Sequence, residues 1–287
     1  MDANGLLVFQ SDFGLTDGAV CTMHGVALGV SRELKVEDLT HDITPYDIWS
    51  ASYGLFQTVS YWPAGTVFVS VVDPGVGSSR KSVVARTKSG QYIVTPDNGT
   101  LTHMKLFVGI DAVREIDESV NRRAGTALSY TFHGRDVYAY TGARLASGAI
   151  RFDQVGPALP PESLLELETG KVGFEDGWVS GCVDIHDGRY GSLWTNILHD
   201  DFTKTGAQYG DRIQVEIKNG GMLVYSNTVT YGHSFADVNI GEPIVYLNSL
   251  YRIAIAINQG SFAKAYSIGH GTHWQVRLRL DAPKASK

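Results

Sequence analysis

The sequence predicts an α/β N-terminal domain with a mostly parallel sheet, followed by an all-β C-terminal domain forming a small barrel. Three observations carry this reading. Up to about residue 150, apolar strand-like runs alternate with segments of helical spacing, the pattern of a sheet covered by helices. From Val172 onward, helical periodicity gives way to short alternating runs broken by Asp-Gly, Asn-Gly-Gly and Tyr-Gly turns. Gly156-Pro157 and Pro160-Pro161 lie between the two textures, so the domains are placed at residues 1–160 and 172–287.

The elements follow in order. Residues 6–10 form a short apolar strand that delivers Ser11-Asp12-Phe13-Gly14 to a turn, and residues 17–31 mix small and apolar positions at helical spacing. Residues 48–61 read as an amphipathic helix stopped by Trp62-Pro63, because the residue before proline is pushed out of the helical region. Residues 66–72 are a continuous β-branched strand. Residues 83–86 and 92–95 are strands about the Ser89-Gly90 turn; Asp97-Asn98-Gly99 is a further turn, and residues 136–147 read as a helix running into Gly148. In the second domain, residues 211–217, 222–226 and 244–247 are strands, and residues 282–287 are a polar tail.

The composition narrows the function. The chain has 287 residues, 43% of them hydrophobic and 19% charged, with 32 glycines, which describes a turn-rich globular protein rather than a disordered one. A net charge of −6 argues against nucleic acid or an anionic membrane as partner, since both demand a basic face. The expected ligand is small. Two distant cysteines, Cys21 and Cys182, imply neither a disulfide framework nor a cysteine zinc site. With no basic leader before a long apolar run and no membrane-length stretch, a cytoplasmic protein is the default.

Two segments concentrate the chemistry: Val72-Asp73-Pro74-Gly75-Val76-Gly77-Ser78-Ser79-Arg80 and Thr131-Phe132-His133-Gly134-Arg135-Asp136. They place an acid, a guanidinium and an imidazole on turns after apolar runs, where α/β proteins keep their reactive groups. An Asp fixes an Arg fork, and a nearby His exchanges protons near neutral pH, so the three together can bind and polarise water. Arg80 breaks both the phosphate-loop and the dinucleotide glycine patterns. An ion pair tying down a loop, beside an unrelated His, is the plain alternative.

With these residues laid out, the chain resembles the S-adenosyl-L-methionine (SAM) hydrolases that form adenosine, relatives of the SAM-dependent fluorinase and chlorinase. The likeness runs over nearly the whole length, through the two segments above and through Ser11-Asp12-Phe13-Gly14, Pro96-Asp97-Asn98-Gly99, Trp194-Thr195-Asn196-Ile197 and Tyr246-Leu247-Asn248-Ser249. The resemblance implies a homotrimer with active sites at subunit interfaces, the β-barrel domain completing the SAM site. It implies hydrolysis of SAM to adenosine and L-methionine by water held by Asp73, Arg80 and His133, with no cofactor and no metal. Which of the three is the formal base stays open.

The same resemblance assigns substrate contacts. Asp12 would accept hydrogen bonds from the ribose hydroxyls, with capping of the next helix as its plain role. Asp17, Gly18 and Ala19 would line the nucleoside through backbone groups, though a helix start explains them as well. Gly134 and Asn248 stand within the matching motifs. Asp187 aligns with the acid that meets the methionine ammonium, Asp184 being its competitor. Ser192 stands where relatives carry Asn, and Leu250 replaces an Arg of the fluorinase. Trp194 fits a wall against adenine or ribose, or a core position; Ser249 would bind the methionine carboxylate, and the backbone at Ile257, Asn258 and Gln259 would read the adenine edge.

Three rivals remain distinct. A metal-dependent hydrolase would use His41-Asp42, His186-Asp187 or His199-Asp200, but adjacent residues rarely share one metal and no His-x-x-x-His element supports them. His270 and His273 read as a solvated loop. A SAM halogenase would form a 5′-halo-nucleoside, and a non-catalytic SAM or adenosine binder would bind tightly without turnover.

Overall fold

The structure is a computed structural model and describes residues 3–281; Met1, Asp2 and the polar tail at 282–287 lie outside the described residues. The chain divides between Leu167 and Glu168 into two compact units.

The first unit is a seven-stranded sheet covered on both faces. Its elements are β1 (Leu6–Ser11), α1 (Ala19–Val30), β2 (Lys35–Thr40), α2 (Ile48–Thr58), β3 (Val67–Val71), β4 (Ser82–Thr87), β5 (Tyr92–Pro96), α3 (Thr102–Phe107), β6 (Ile110–Glu115), α4 (Glu118–Asn121), α5 (Tyr140–Ala146) and β7 (Ala158–Leu159). The strand order is β2-β1-β3-β5-β4-β6-β7. The β2, β1, β3 and β5 strands run parallel, while β4 is antiparallel to both of its neighbours. Alternation along β1 explains the two layers. Leu7 and Phe9 join Met23 and Ala27 of α1, whereas Val8 joins Leu55 of α2 and Met104 of α3 on the other face.

The structure bears out the expected α/β class and adds elements that the periodicity did not give. Strand β2, Lys-Val-Glu-Asp-Leu-Thr, lies at the sheet edge with no fully buried residue, so it lacks an apolar signature. The helix expected over 136–147 begins with a π-helical stretch, Gly134–Ala139, that passes directly into α5. Widened turns of this kind frequently mark functional sites.

The second unit is a closed seven-stranded β-barrel. It comprises β9 (Trp178–His186), β10 (Leu193–Leu198), β11 (Arg212–Asn219), β12 (Met222–Tyr231), β13 (Pro243–Leu247), β14 (Arg252–Ile257) and β15 (Gly271–Leu280), with β8 (Gly173–Glu175) added outside the ring on β9. Pairing of β10 with β9 closes the ring. Alternating residues such as Ile213, Val215 and Ile217 point inward and are fully buried. Short helices α6 (His199–Phe202) and α7 (Phe262–Tyr266) complete this unit. Among the described residues no helix is long and apolar enough to cross a membrane.

Candidate active site

Asp73 follows the buried strand β3 by two residues, so the sheet fixes where its carboxylate starts. Asn98 Nδ2 donates to the Val72 carbonyl at 2.9 Å, which anchors the loop from behind and gives the Pro-Asp-Asn-Gly turn a local purpose. Gly77 takes φ 77°, a left-handed conformation natural to glycine, as the chain turns back toward Arg80.

The turn brings Arg80 onto Asp73 in a fork. Arg80 Nε donates to Asp73 Oδ1 at 2.7 Å, and Nη2 donates to Oδ2. Nη1 donates to Ser82 Oγ at 3.0 Å, and the guanidinium lies 5.6 Å from the Tyr138 ring centroid. Both charged side chains are nearly buried, at 10% exposed for Arg80 and 5% for Asp73. A desolvated bidentate pair of this kind is held in one geometry.

His133 approaches from the start of the π-helical stretch, its Nδ1 3.4 Å from Arg80 Nη2. Its other nitrogen, Nε2, lies 2.9 Å from Arg122 Nη2, and Arg122 pairs with Glu118 at 2.7 Å. A guanidinium only donates, so the closer contact makes Nε2 the acceptor and leaves the single proton of a neutral imidazole on Nδ1, facing the Asp73–Arg80 pair. Burial holds His133 below its ordinary value; Glu118 works against this shift, Arg122 and Arg80 with it, and Asp73 against it. Burial likewise raises the Tyr138 hydroxyl, so Tyr138 stays neutral behind Arg80.

Asp12, Asp73, His133 and Gly134 border one cavity of about 230 Å³, walled also by Phe13 and Phe132. Asp12 does not cap the following helix. Its Oδ2 accepts from the Tyr46 amide at 2.8 Å, which orients the carboxylate at the cavity edge. A Cβ on Gly134 would stand 2.9 Å from the Phe13 ring, so only glycine lets that ring seat as it does. Asp17, Gly18 and Ala19 lie outside this cavity, at the start of α1, where Asp17 Oδ1 accepts from the Ala19 amide at 2.8 Å. Sequence reasoning missed Arg122. Its available signal was the i,i+4 pair Glu118 to Arg122, eleven residues before His133.

The barrel unit holds a second cavity, of about 700 Å³. Asp187, Ser192, Ile257, Asn258 and Gln259 are on its wall. Asp187 heads a tight turn in which its carbonyl accepts from the Gly191 amide at 2.7 Å, and burial raises its carboxyl. Asp184 is elsewhere, buried against Arg252 at 3.5 Å; burial pushes its carboxyl up to about 6, with Arg252 opposing. Trp194 is buried on β10 with the Tyr246 hydroxyl beside it, away from that wall. Asn248 is buried too: Oδ1 accepts from the Leu250 and Arg252 amides, while Nδ2 has no partner among the described residues. Ser249 is exposed in the turn after β13.

Residues 7–156 match the SAM hydroxide adenosyltransferase N-terminal domain, and residues 181–275 match the corresponding C-terminal domain. The chain belongs to this family. An (R)-S-adenosyl-L-methionine hydrolase of Salinispora tropica is 33% identical, covering 96% of this chain and 97% of its own. A fluorinase of an Actinoplanes species is 29% identical over 94% of this chain and 97% of its own. The crystal structure of an uncharacterized conserved protein from Thermotoga maritima superposes with a TM-score of 0.86 at 32% identity, covering 95% of this chain and 99% of that one. The SAM hydroxide adenosyltransferase match spans both units, so the α/β sheet and the barrel are both features of the family.

Proposed function

We propose that this enzyme hydrolyses SAM to adenosine and L-methionine, with Asp73, Arg80 and His133 holding the attacking water. The observation that carries the reading is that Asp73 and His133 border the cavity that Asp12 also lines, with Arg80 set between them, forked to Asp73 and 3.4 Å from His133 Nδ1.

The chemistry follows from charge. Water attacks ribose C5′, the C5′–S bond breaks, its electron pair stays on sulfur, and the products are adenosine, neutral methionine thioether and one released proton. Arg80 Nη2 and the Nδ1–H of His133 would hold the water oxygen, while Asp73 accepts a water hydrogen bond and draws the proton as the O–C5′ bond forms. This makes Asp73 the acceptor and His133 a neutral donor. Meeting of a hydroxide-like oxygen with a sulfonium cancels charge, so removal of bulk water favours the transition state.

Asp12 would fix the ribose through its two hydroxyls. The 230 Å³ cavity is below the usual range of about 300–1,000 Å³ for a site that encloses a whole ligand, so further groups must complete it. Asp187 for the ammonium, the unpartnered Asn248 Nδ2 and Ser249 for the carboxylate, and the backbone at Ile257, Asn258 and Gln259 for adenine are the groups of matching chemistry on the barrel. The finer reading is a cytoplasmic homotrimer with active sites at subunit interfaces, testable by analytical ultracentrifugation. The reaction itself is tested by turnover in ¹⁸O-labelled water. Label at the adenosine 5′-hydroxyl is expected; unlabelled adenosine, or no turnover, would overturn attack by water at C5′.

A further inference from the structure

We propose that His24, Asp38 and His41 form a binding site for a divalent transition-metal ion, with zinc the ion that the donor set favours. The three residues come from α1, β2 and the turn after β2, and their ligating atoms all lie within 4.8 Å of one another. His24 Nε2 is 2.8 Å from Asp38 Oδ1, and His41 Nε2 is 3.0 Å from the same oxygen. Both rings therefore aim the same kind of nitrogen at one point. Tetrahedral zinc with bonds of about 2.0–2.1 Å separates neighbouring ligands by roughly 3.3 Å, so small torsions of the half-buried His24 and exposed Asp38 side chains would admit the ion.

A second observation supports the site independently. Metal-bound imidazoles are usually oriented by a partner on their other ring nitrogen. Here Ser11 Oγ lies 2.7 Å from His41 Nδ1, in a fully buried position. Ser11 Oγ can accept the Nδ1 proton, which leaves the Nε2 lone pair for the ion. His41 is 2% exposed at its side chain while His24 and Asp38 are 29% and 38% exposed, so the site has one closed side and one open to a water ligand. Two imidazoles and a carboxylate with one solvent position is a common zinc set, and it disfavours magnesium and calcium, which prefer oxygen shells.

The ion would act as a clip rather than as a reactant. It would join α1 to the edge strand β2 behind the turn that carries Asp12. That turn already leans on the same residues: the His41 carbonyl accepts from the Gly14 amide at 2.8 Å, and Ser11 Oγ accepts from the Phe13 amide at 3.2 Å. None of the three ligands borders the 230 Å³ cavity.

The test uses the full chain without a histidine tag, stripped with chelator and titrated with zinc chloride in the absence of SAM. Isothermal titration and metal analysis are expected to give one zinc per chain, with a rise in Tm that chelator reverses. His24→Ala and Asp38→Asn, at a half-buried and an exposed position, should each weaken binding by about 100-fold or more. Absence of saturable binding, or zinc uptake that survives both substitutions, would overturn the assignment. The readout needs no turnover, so failure of the hydrolase reading would not affect it.

Discussion

Removing the Asp73–Arg80 pair one partner at a time, and then as a pair, separates its structural from its chemical contribution. In Asp73→Asn, Arg80 keeps its charge at 10% exposure and loses its carboxylate, retaining Ser82 Oγ and the Tyr138 ring face. Breaking a buried pair by removing one partner costs about 3–5 kcal/mol, because the remaining charge stays desolvated. That is a large part of the roughly 5–15 kcal/mol by which domains are stable. Arg80→Met alone should cost a similar amount by stranding Asp73. The double substitution leaves no unpaired charge, so it should recover at least about 1.5 kcal/mol relative to the sum of the singles. Turnover should behave oppositely: each single falls by about 10²–10⁴-fold, and the double is no better than the worse single, since the proposed water activation would need both groups. Urea unfolding and chromatographic assay of adenosine measure the two quantities on the same samples. Additive stability losses, or turnover restored in the double, would refute the reasoning.

His133 is held below 6.5, so its neutral form prevails through neutrality, and kcat/KM should stay flat down to about pH 6.5 and fall only below it. A rising limb centred above 7 would contradict this. For stability the sign is the same: the contribution of a neutral buried His133 is complete above 6.5 and is lost as pH falls from there through the lower folded value. Arg122→Gln keeps a donor for Nε2 while removing a positive charge, so the acid limb of kcat/KM should move to higher pH; an unmoved limb would show that Arg122 does not tune the imidazole. Gly134→Ala forces the Phe13 ring away from a contact at 2.9 Å and should raise KM for SAM several-fold with little change in Tm; an unaltered KM would mean that this wall does not shape the site.

What the sequence disclosed follows the range of each interaction. Strand β3 was legible because five consecutive buried residues are all β-branched, aromatic or small, and the motif after it carries its own turn chemistry. Strand β2 was not, since an edge strand is half solvated and its Glu and Asp residues look like a loop. The candidate trio was visible as two short motifs, with Asp73 and Arg80 7 residues apart and Arg80 and His133 53 apart. Arg122 left only its i,i+4 spacing from Glu118 as a signal, because the tertiary fold, in which the Arg123 amide donates to the Asp136 carbonyl at 2.8 Å, determines that its guanidinium reaches His133. The His24, Asp38, His41 cluster was not legible either: the adjacent pair His41-Asp42 carries no metal spacing, and only the tertiary fold sets Asp38, three residues before His41, beside His24 of α1. Trp194, by contrast, was ambiguous in sequence between wall and core, and barrel closure buries it.

The same geometry argues for water over halide as nucleophile. The guanidinium of Arg80 is committed on three sides: Nε and Nη2 to Asp73, Nη1 to Ser82, and one face to Tyr138. Its remaining approach is the gap toward His133 Nδ1, and an anion placed there would meet the Asp73 carboxylate, which shares Arg80 Nη2 with that gap. The negative charge of Asp73 opposes an anion there and offsets much of the attraction that Arg80 would otherwise exert, so the ion pair offers an anion little net binding. Water has no such conflict, because it could accept from Arg80 and His133 and donate to Asp73 at once. Adenosine should therefore be the sole nucleoside product in fluoride or chloride, by mass spectrometry. A 5′-halo-nucleoside formed at a comparable rate would mean that Asp73 does not face the nucleophile.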